Sequence, residues 1–244
     1  FSLRPDLVTW PLPEFAGEAA VPTSVDLFIN GYRSGSTQLQ PGPFTLTNLP
    51  YINGAGDAVL VTTDALGRQV STTLPFYVTS DLLKQGLSDG AVILGSLRRN
   101  YGIKNFDYGS AAGSGSYRYG MTDWLTLEGH AEGAQELALG GAGTVIKLGQ
   151  FGVVNTSYSQ SRMRGDEGGQ INWGYQYSTS EFSVATQHTR RDRGFGNLAL
   201  YDQPTVYDEN DKPIASFSRN TDQYSLTFNL GQYGNIGAAW IGVE

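Results

Sequence analysis

The sequence has no cysteine, only two histidines and no apolar run approaching the ~18 residues of a membrane-spanning helix. Without cysteine it can form neither a disulfide framework nor a thiolate metal site. Its formal net charge of −7, with no stripe of basic residues, argues against nucleic acid as a partner, because a phosphate-binding surface needs excess Lys and Arg. Only 39% of the residues are hydrophobic, so a membrane role would require strands, whose alternation keeps the mean hydropathy low.

From about Gly90 to the last residue, apolar or aromatic side chains occupy every second position, as half-buried strands require. One such row contains Ile171, Trp173, Tyr175 and Tyr177. Glycine supplies 32 of the 244 residues and aromatics supply 12%, a combination typical of strongly bent sheets with aromatic girdles. The pattern predicts an all-β fold with one apolar and one polar face.

The predicted strands of this region follow one another in an up-and-down order. Nine are expected, at residues 90–99, 114–120, 124–133, 136–149, 151–163, 169–178, 181–191, 220–231 and 234–243. Short turns (121–123, 150, 179–180, 232–233) alternate with longer polar loops (100–113, 164–168, 192–219), with the short link at 133–135 as the exception. Outer-membrane barrels are built in this way, with short turns on the periplasmic side. We therefore predict that residues 90–244 are part of a large antiparallel transmembrane β-barrel.

Residues 21–77 have a different pattern, in which short strands are separated by strong turn signals. The predicted turn residues are Asn30, Gly31, Pro41, Gly42, Gly56, Asp57 and Gly67. The predicted core residues are Val25, Leu27, Ile29, Phe44, Leu46, Val59 and Val61. A segment of about 60 residues can fold alone, though marginally. We predict a small β-sandwich domain inserted into the barrel sequence.

The flanking segments divide the rest of the chain. Residues 1–20 are expected to form a barrel strand and a tether, and residues 78–89 a connector. Within the connector, Thr79 and Ser80 could cap one or two helical turns that contain Leu82 and Leu83 and stop at Gly86. The first residues carry no signal-peptide features and the last stop inside an alternating run, so we expect a piece of a longer chain.

No catalytic, cofactor or metal site is predicted. His130 and His188 lie in strand patterns without a second ligand at metal-binding spacing. The acidic cluster of the long loop could supply oxygen ligands for calcium, but the glycine and closing glutamate of a calcium loop are missing, which favours a solvated surface loop. That cluster is Asp202, Asp208, Glu209 and Asp211. A glycosidase needs two opposed carboxylates, and nothing selects Glu128 with Glu132, or Asp166 with Glu167.

Three further groups of residues have a structural interpretation. The cluster Gly140–Gly143 lies inside a strand pattern, which favours close packing over a phosphate cradle. The strand aromatics fit a membrane girdle or wall packing better than a sugar-stacking surface; they are Tyr117, Tyr119, Trp124, Tyr158, Trp173, Tyr175, Tyr177, Tyr224 and Trp240. A cation on the lipid face would cost about 2–4 kcal/mol at the midplane, so basic residues are expected at the lumen or rim. These are Arg98, Arg99, Arg118, Lys147, Arg190 and Arg191.

Several strings in residues 25–87 resemble the outer-membrane ushers of chaperone-usher pilus assembly. They are VDLFING at 25–31, QPGPFTL at 40–46, NLP at 48–50, GAGDAVLV at 54–61, DALGR at 64–68, and Leu82-Leu83 followed by Gly86-Leu87. The resemblance extends over nearly the whole chain. It implies a plug at 21–77 and successive barrel strands from 90 to 244, with too few strands to close a barrel.

The resemblance implies a pore rather than an enzyme, without a cofactor. In a multi-pass outer-membrane barrel, a plug would seal the lumen until a periplasmic chaperone–subunit complex displaces it, and folded pilus subunits would then pass outward. Plug contacts to the wall should be polar and individually weak, with residues 11–20 and 78–89 as hinges. Outer-membrane lipid would be a further partner, and homo-oligomerisation stays open. A secreted carbohydrate-binding or adhesive all-β module and a β-scaffold glycosidase are the alternatives.

Overall fold

The structure is a computed structural model that describes residues 8–19, 21–46, 53–98, 108–201, 206–207, 213–214 and 219–244. Among these residues, every regular element is a β-strand except one 3₁₀ helix at Gly231–Tyr233. The all-β prediction is therefore confirmed. No helix in the described part is long and apolar enough to cross a membrane.

Residues 15–78 form two small sheets, and we name them the inserted domain. Strand β1 (Phe15–Ala19) pairs with β4 (Gly42–Leu46). The second sheet has the order β3-β2-β5-β6 and comprises β2 (Thr23–Ile29), β3 (Tyr32–Leu39), β5 (Gly54–Asp64) and β6 (Gln69–Val78). Residues 15–19 were predicted to be a tether, which is wrong, because their backbone pairs with β4 from Phe15 opposite Leu46 to Ala19 opposite Gly42.

The core of the inserted domain lies between its two sheets. Val25, Leu27 and Ile29 of β2 are buried there, and Phe44 and Leu46 of β4 pack partly buried against them. The prediction of Val59 and Val61 as core residues is wrong, since both are half-buried on the opposite face of β5. Their neighbours are the buried ones: Ala58 pairs with Ile29, and Leu60 pairs with Leu27. Side chains directly opposite each other in a sheet share a face, so the pairing with β2 decides which side of β5 faces the core.

Most of the predicted turn residues adopt turn conformations. Asn30 and Gly31 join β2 to β3 with φ of 48° and 84°, as a two-residue hairpin turn with two positive φ angles requires. Gly42 (φ 138°), after the bend at Pro41, and Gly67 (φ 78°) also need glycine's conformational freedom.

Gly56 and Asp57 do not form a turn as predicted but lie inside β5. The hairpin tip holds this part of the strand in place, because the amide of Asp57 donates to Asn30 Oδ1 at 3.0 Å and its carbonyl accepts from the amide of Asn30 at 2.9 Å. A side chain at Gly56 would place its Cβ 2.5 Å from Asn30 Oδ1. The glycine therefore marks a close approach within the strand rather than a turn.

Asp64 closes the turn between β5 and β6. Its carboxylate accepts hydrogen bonds from the amides of Leu66 and Arg68, both at 2.9 Å, and from Arg68 Nε at 2.6 Å. The bond from the Arg68 amide is the main cause that holds the pKa of Asp64 below its ordinary value. This half-buried aspartate fixes the chain reversal, while Leu66 at the tip is 80% exposed.

The rest of the chain forms one antiparallel sheet of nine strands, in which each strand lies beside the next of the nine along the chain. The strands are β7 (Ser88–Arg98), β8 (Tyr108–Thr122), β9 (Leu125–Ala134), β10 (Leu137–Lys147), β11 (Val153–Met163), β12 (Asp166–Ser178), β13 (Phe182–Arg191), β16 (Asn220–Asn229) and β17 (Asn235–Val243). A small hairpin, β14 (Val206–Tyr207) and β15 (Pro213–Ile214), lies in the loop between β13 and β16. All nine predicted strands are present, in the predicted up-and-down order.

The two ends of the nine-stranded sheet differ in their connections. One end, the short-turn end, has turns around residues 123–124, 148–152, 179–181 and 230–234. The opposite, long-loop end has the connections at 99–107 and 192–219, but also two-residue turns at Gln135-Glu136 and Arg164-Gly165. The long loop predicted at 164–168 is wrong, because Arg164 and Gly165 adopt φ of 52° and 93° and close β11 onto β12 directly.

The segment from Thr79 to Gly86 contains no helix, so the predicted helical turns are wrong. Thr79 Oγ1 accepts the amide of Asp81 at 3.1 Å, which forms a local hydroxyl turn. Three amides that a helix would have used donate to groups outside the segment. The amide of Leu83 donates to Thr126 Oγ1 on β9, and that of Lys84 donates to the carbonyl of Thr9. The amide of Gln85 donates to Asp123 Oδ1 in the β8–β9 turn.

Candidate functional site

The nine-stranded sheet has two chemically different faces, because side chains alternate along each strand and directly paired residues share a face. On β12, Ile171, Trp173, Tyr175 and Tyr177 lie on one face, which we name the apolar face. Its further members include Val92, Leu94, Tyr117, Leu127, Val184, Leu226, Phe228, Ile236 and Trp240. The opposite, polar face includes Asn155, Ser157, Ser159, Gln170, Asn172, Gln176, Gln187, Thr189, Gln223 and Ser225.

The apolar face is largely uncovered. Leu94 is 81% exposed, Val92 77%, and Ile236 62%. A soluble protein rarely exposes a contiguous apolar surface of this extent. A sheet with an outward apolar band and a polar opposite face is the arrangement of a membrane barrel wall.

A row of rings crosses the middle of the apolar face. Trp173, His188, Tyr224 and Trp240 lie on four neighbouring strands, and successive ring centroids are 5.1, 5.3 and 5.4 Å apart. The aromatics were predicted to be girdle or wall residues rather than a sugar-stacking groove. Three of those aromatics, Trp173, Tyr224 and Trp240, form this continuous row together with His188, which is the arrangement of wall packing.

The basic residues divide between the two faces. Arg118, Lys147 and Arg191 lie on the polar face, as expected for a lumen. Arg190 lies on the apolar face near its long-loop rim, where it pairs with Asp222 through two hydrogen bonds of 2.8 and 3.0 Å. The side chain of Arg98 and all of Arg99 lie outside the described residues.

Three of the four carboxylates considered as catalytic pairs are engaged in structural contacts. Glu128 pairs with Arg118 at 2.7 Å. Glu132 bonds His130 at 2.9 Å and accepts the amide of Leu198 at 2.7 Å. Glu167 pairs with Arg162 at 3.1 Å. Within the part of the chain that the structure describes, no group of three His, Asp or Glu side chains could hold a metal ion. The acidic cluster Asp202, Asp208, Glu209 and Asp211 lies outside the described residues.

The glycine cluster at 140–143 lies inside β10, and two of its three glycines, Gly141 and Gly143, show the predicted close packing. A Cβ at Gly141 would lie 2.3 Å from Ser159 Oγ, and one at Gly143 would lie 2.9 Å from Ser157 Cβ. Both glycines therefore make room on the polar face for the serines of β11.

The beginning of the long loop folds back onto the polar face at the long-loop end. Phe195 and Tyr201 are buried there, at 4% and 5% exposure. Ser161 Oγ accepts the amide of Gly196 at 2.8 Å, and Arg164 donates to the carbonyl of Tyr201 at 2.7 Å. The packing of this segment was not predicted from the sequence, although an aromatic residue between two glycines, Gly194 and Gly196, is a signal for a tightly packed loop.

An apolar cluster joins the inserted domain to the short-turn end of the sheet. Tyr77 stacks on Tyr177 with 5.9 Å between ring centroids, and it packs with Leu82, Val145 and Val153. The expectation of polar contacts between domain and wall is therefore wrong at this junction. Burial is the main reason that the pKa of Tyr77 rises to about 12.

The backbone of the inserted domain also approaches the sheet closely at this junction. Gly54, with φ of 90°, lies where a Cβ would be 2.7 Å from the carbonyl oxygen of Ser178. A groove of about 370 Å³ separates the domain from the turn at 179–181, and Asp57, Phe76, Phe151 and Glu181 line it. The domain thus meets the sheet at its short-turn end through a compact and largely apolar contact.

Comparison with known proteins gives one consistent result. Residues 12–241 match the family described as outer membrane usher protein. The F1 capsule-anchoring protein of Yersinia pestis is 26% identical over 230 residues, which is 90% of this chain and 27% of that protein. The outer membrane usher protein AfaC of Escherichia coli is 26% identical over 244 residues, which is 95% of this chain and 28% of AfaC.

The fold is also found among solved structures. The cryo-EM structure of the E. coli P pilus tip assembly intermediate PapC-PapD-PapK-PapG in the second conformation matches with a TM-score of 0.59 and 17% identity, over 91% of this chain and 28% of that chain. The chain spans about a quarter of the length of these relatives.

Proposed function

Because this chain belongs to the outer membrane usher family, we propose that it forms the plug and part of the barrel wall of an outer-membrane pore that assembles and secretes pilus subunits. Periplasmic chaperone–subunit complexes would be its partners. The inserted domain, residues 15–78, would be the plug, residues 79–87 the connector, and β7 to β17 part of the wall. The polar face would line the lumen. The apolar face would contact lipid except at its short-turn rim, where Tyr77 of the inserted domain stacks on Tyr177.

The two-faced sheet is the observation that carries the proposal. Its first and last strands, β7 and β17, each have only one neighbour among the described strands. An uncovered sheet edge in a membrane is costly, because lipid cannot satisfy its backbone groups. Further strands of a longer protein would therefore close the barrel between β7 and β17. Much of the polar face consists of neutral Ser, Asn, Gln and Thr side chains, although Arg118, Lys147 and Arg191 also lie on it. Neutral side chains suit passage of folded proteins, since they hold no strong charge to trap them.

The proposed mechanism moves a domain and makes or breaks no covalent bond. Glu128, Glu132 and Glu167, three of the four carboxylates nominated as acid pairs, are held by basic side chains or a backbone amide, which supports a non-enzymatic role. A secreted carbohydrate-binding module is not favoured, because its aromatics would line a groove, whereas the row of four rings crosses an exposed apolar face.

Adjacent charge substitutions on β16 test the proposal. In the complete protein, Leu226→Arg would place a cation on the lipid face, at a cost of about 2–4 kcal/mol if it lies near the midplane. We expect less folded barrel in the outer membrane and a matching loss of pilus subunits at the cell surface. The control Ser225→Arg lies on the polar face and should leave barrel assembly intact. Equal effects of the two substitutions on barrel assembly would refute the assignment of the faces.

A further inference from the structure

The segment between the inserted domain and β7, residues 79–87, is hydrogen-bonded to the sheet along most of its length. The amide of Leu83 donates to Thr126 Oγ1 at 2.9 Å, and that of Gln85 donates to Asp123 Oδ1 at 2.9 Å. Gly86 and Leu87 exchange backbone hydrogen bonds with Gly120 at 2.8 and 2.9 Å. Thr126 is completely buried, so its hydroxyl is a specific partner for the connector and is shielded from competing water.

Side chains on either side of these hydrogen bonds strengthen the contact. Leu82 and Leu83 are buried, at 1% and 5% exposure. The Arg118 guanidinium donates to the carbonyl of Asp81, and its Nε donates to Glu128 at 2.7 Å. Detaching the connector would expose two leucines and leave several amides without partners.

The sheet is shaped to receive the connector. A Cβ at Gly120 would lie 2.3 Å from the carbonyl oxygen of Lys84 and 2.6 Å from that of Leu83. Any side chain at position 120 would therefore collide with the connector backbone. The other segment that enters the inserted domain is bound at the same place, because the amide of Lys84 donates to the carbonyl of Thr9 at 2.8 Å.

We infer that residues 81–87 are a fixed anchor rather than a hinge, and that Thr126 and Arg118 are the positioning residues that hold this anchor on the wall. The inference rests on the proposed gating function. When the inserted domain moves, the anchor stays on β8 and β9, and the movement occurs upstream of residue 81. This differs from the expectation that residues 78–89 act as a hinge throughout.

Cross-linking in the complete protein tests the anchor. The variant Gln85→Cys with Asp123→Cys would be bridged after folding by a short thiol-reactive reagent. Both positions are exposed, and the described chain has no cysteine of its own. The comparison variant, Asp57→Cys with Glu181→Cys, bridges the inserted domain to the short-turn end across the groove. Opening and closing would be recorded as single-channel conductance in a planar bilayer, before and after bridging.

The inference predicts that bridging residues 85 and 123 leaves the frequency of opening unchanged, whereas bridging residues 57 and 181 abolishes switching. Loss of switching with the 85–123 bridge would overturn the anchor but leave the pore intact, since the unbridged protein would still switch. Absence of switching in the unmodified protein would instead refute the proposed function.

Substitution at position 126 tests the role of its hydroxyl. Thr126→Val keeps the shape but removes the acceptor for Leu83, and Thr126→Ser retains the hydroxyl. We expect more frequent spontaneous openings in Thr126→Val, near-normal gating in Thr126→Ser, and equally heat-resistant barrels in both. Normal gating in Thr126→Val would show that the hydroxyl does not position the connector.

Discussion

Removal of residues 15–78 from the complete protein is expected to convert a mostly closed channel into a continuously open one. The inserted domain pairs its strands only among themselves, so its removal takes no strand from the nine-stranded sheet. Barrels of 16 or more strands leave an aqueous channel unless something fills it. The two cut ends can be rejoined by a short Gly–Ser linker, because the flanking segments already meet where Lys84 bonds Thr9 at 2.8 Å. Conductance in a planar bilayer measures the effect.

The excision needs a control that separates a lost plug from a damaged wall. A variant that keeps the domain but carries the same Gly–Ser insertion after residue 14 should stay mostly closed. Both variants should run as heat-resistant folded barrels. A domain-free protein that folds and inserts but conducts no more than the intact one would contradict the assignment of residues 15–78 as the plug.

Leu60→Ala is expected to unfold or severely loosen the inserted domain. Leu60 is 6% exposed and lies opposite Leu27 in the core. Removing a buried leucine side chain costs about 2–5 kcal/mol, because the transfer energy is lost and a cavity remains. A domain of this size is stabilised by roughly 3–10 kcal/mol in total. The substitution would therefore remove a large part of its stability, and the channel should open more often.

The neighbouring substitution Val61→Ala is the matched control. Val61 is half-buried on the other face of β5, opposite Asp26, and its truncation should cost less than about 1 kcal/mol. Native-state hydrogen exchange of β2 and β5 amides in the complete protein measures the two effects separately from the barrel. A larger loss of protection in Val61→Ala than in Leu60→Ala would reverse the assignment of the two faces of β5.

The nine strands could be predicted from the sequence because their signal is local. A side-chain period of two is visible in any ten-residue window, as in the row from Ile171 to Tyr177, and it requires no knowledge of the partner strand. The hairpin at Asn30-Gly31 was predictable for the same reason, since few other dipeptides tolerate two positive φ angles.

The core face of β5 could not be read in this way. Residues 58–61, Ala-Val-Leu-Val, are all apolar, so the local pattern has no period of two. Residues 58 and 60 could face the core, or residues 59 and 61 could. The decision comes from the register with β2, which places Ala58 and Leu60 opposite Ile29 and Leu27. That register is a contact between segments about 30 residues apart, and it lies outside the range of a local pattern.

The connector at residues 79–87 and the loop segment that contains Phe195 and Tyr201 could not be predicted for the same reason, because their conformations depend on contacts with distant strands. Thr79, Leu82, Leu83 and Gly86 have helix signals, but a helix of two turns is unstable without tertiary support. The wall offers competing partners, above all the hydroxyl of Thr126, 43 residues away from Leu83. Likewise, Phe195 and Tyr201 are buried in a loop that bonds to distant strands, since the amide of Gly196 donates to Ser161 of β11 and that of Leu198 to Glu132 of β9. These partners cannot be identified from the loop sequence alone.

Solvent labelling of single cysteines on β16 tests the central claim, that the nine-stranded sheet is a pore wall, most directly. Gln223→Cys lies on the polar face and Leu226→Cys on the apolar face, and both positions are exposed. In outer membranes containing the complete protein, a membrane-impermeant maleimide should react with the Gln223→Cys variant and not with the Leu226→Cys variant. After the barrel is denatured in detergent, the same reagent should label the Leu226→Cys variant as well, because its thiol can then ionise in water. Equal labelling of both positions by the impermeant reagent would contradict a membrane wall and would instead indicate a sheet with water on both faces.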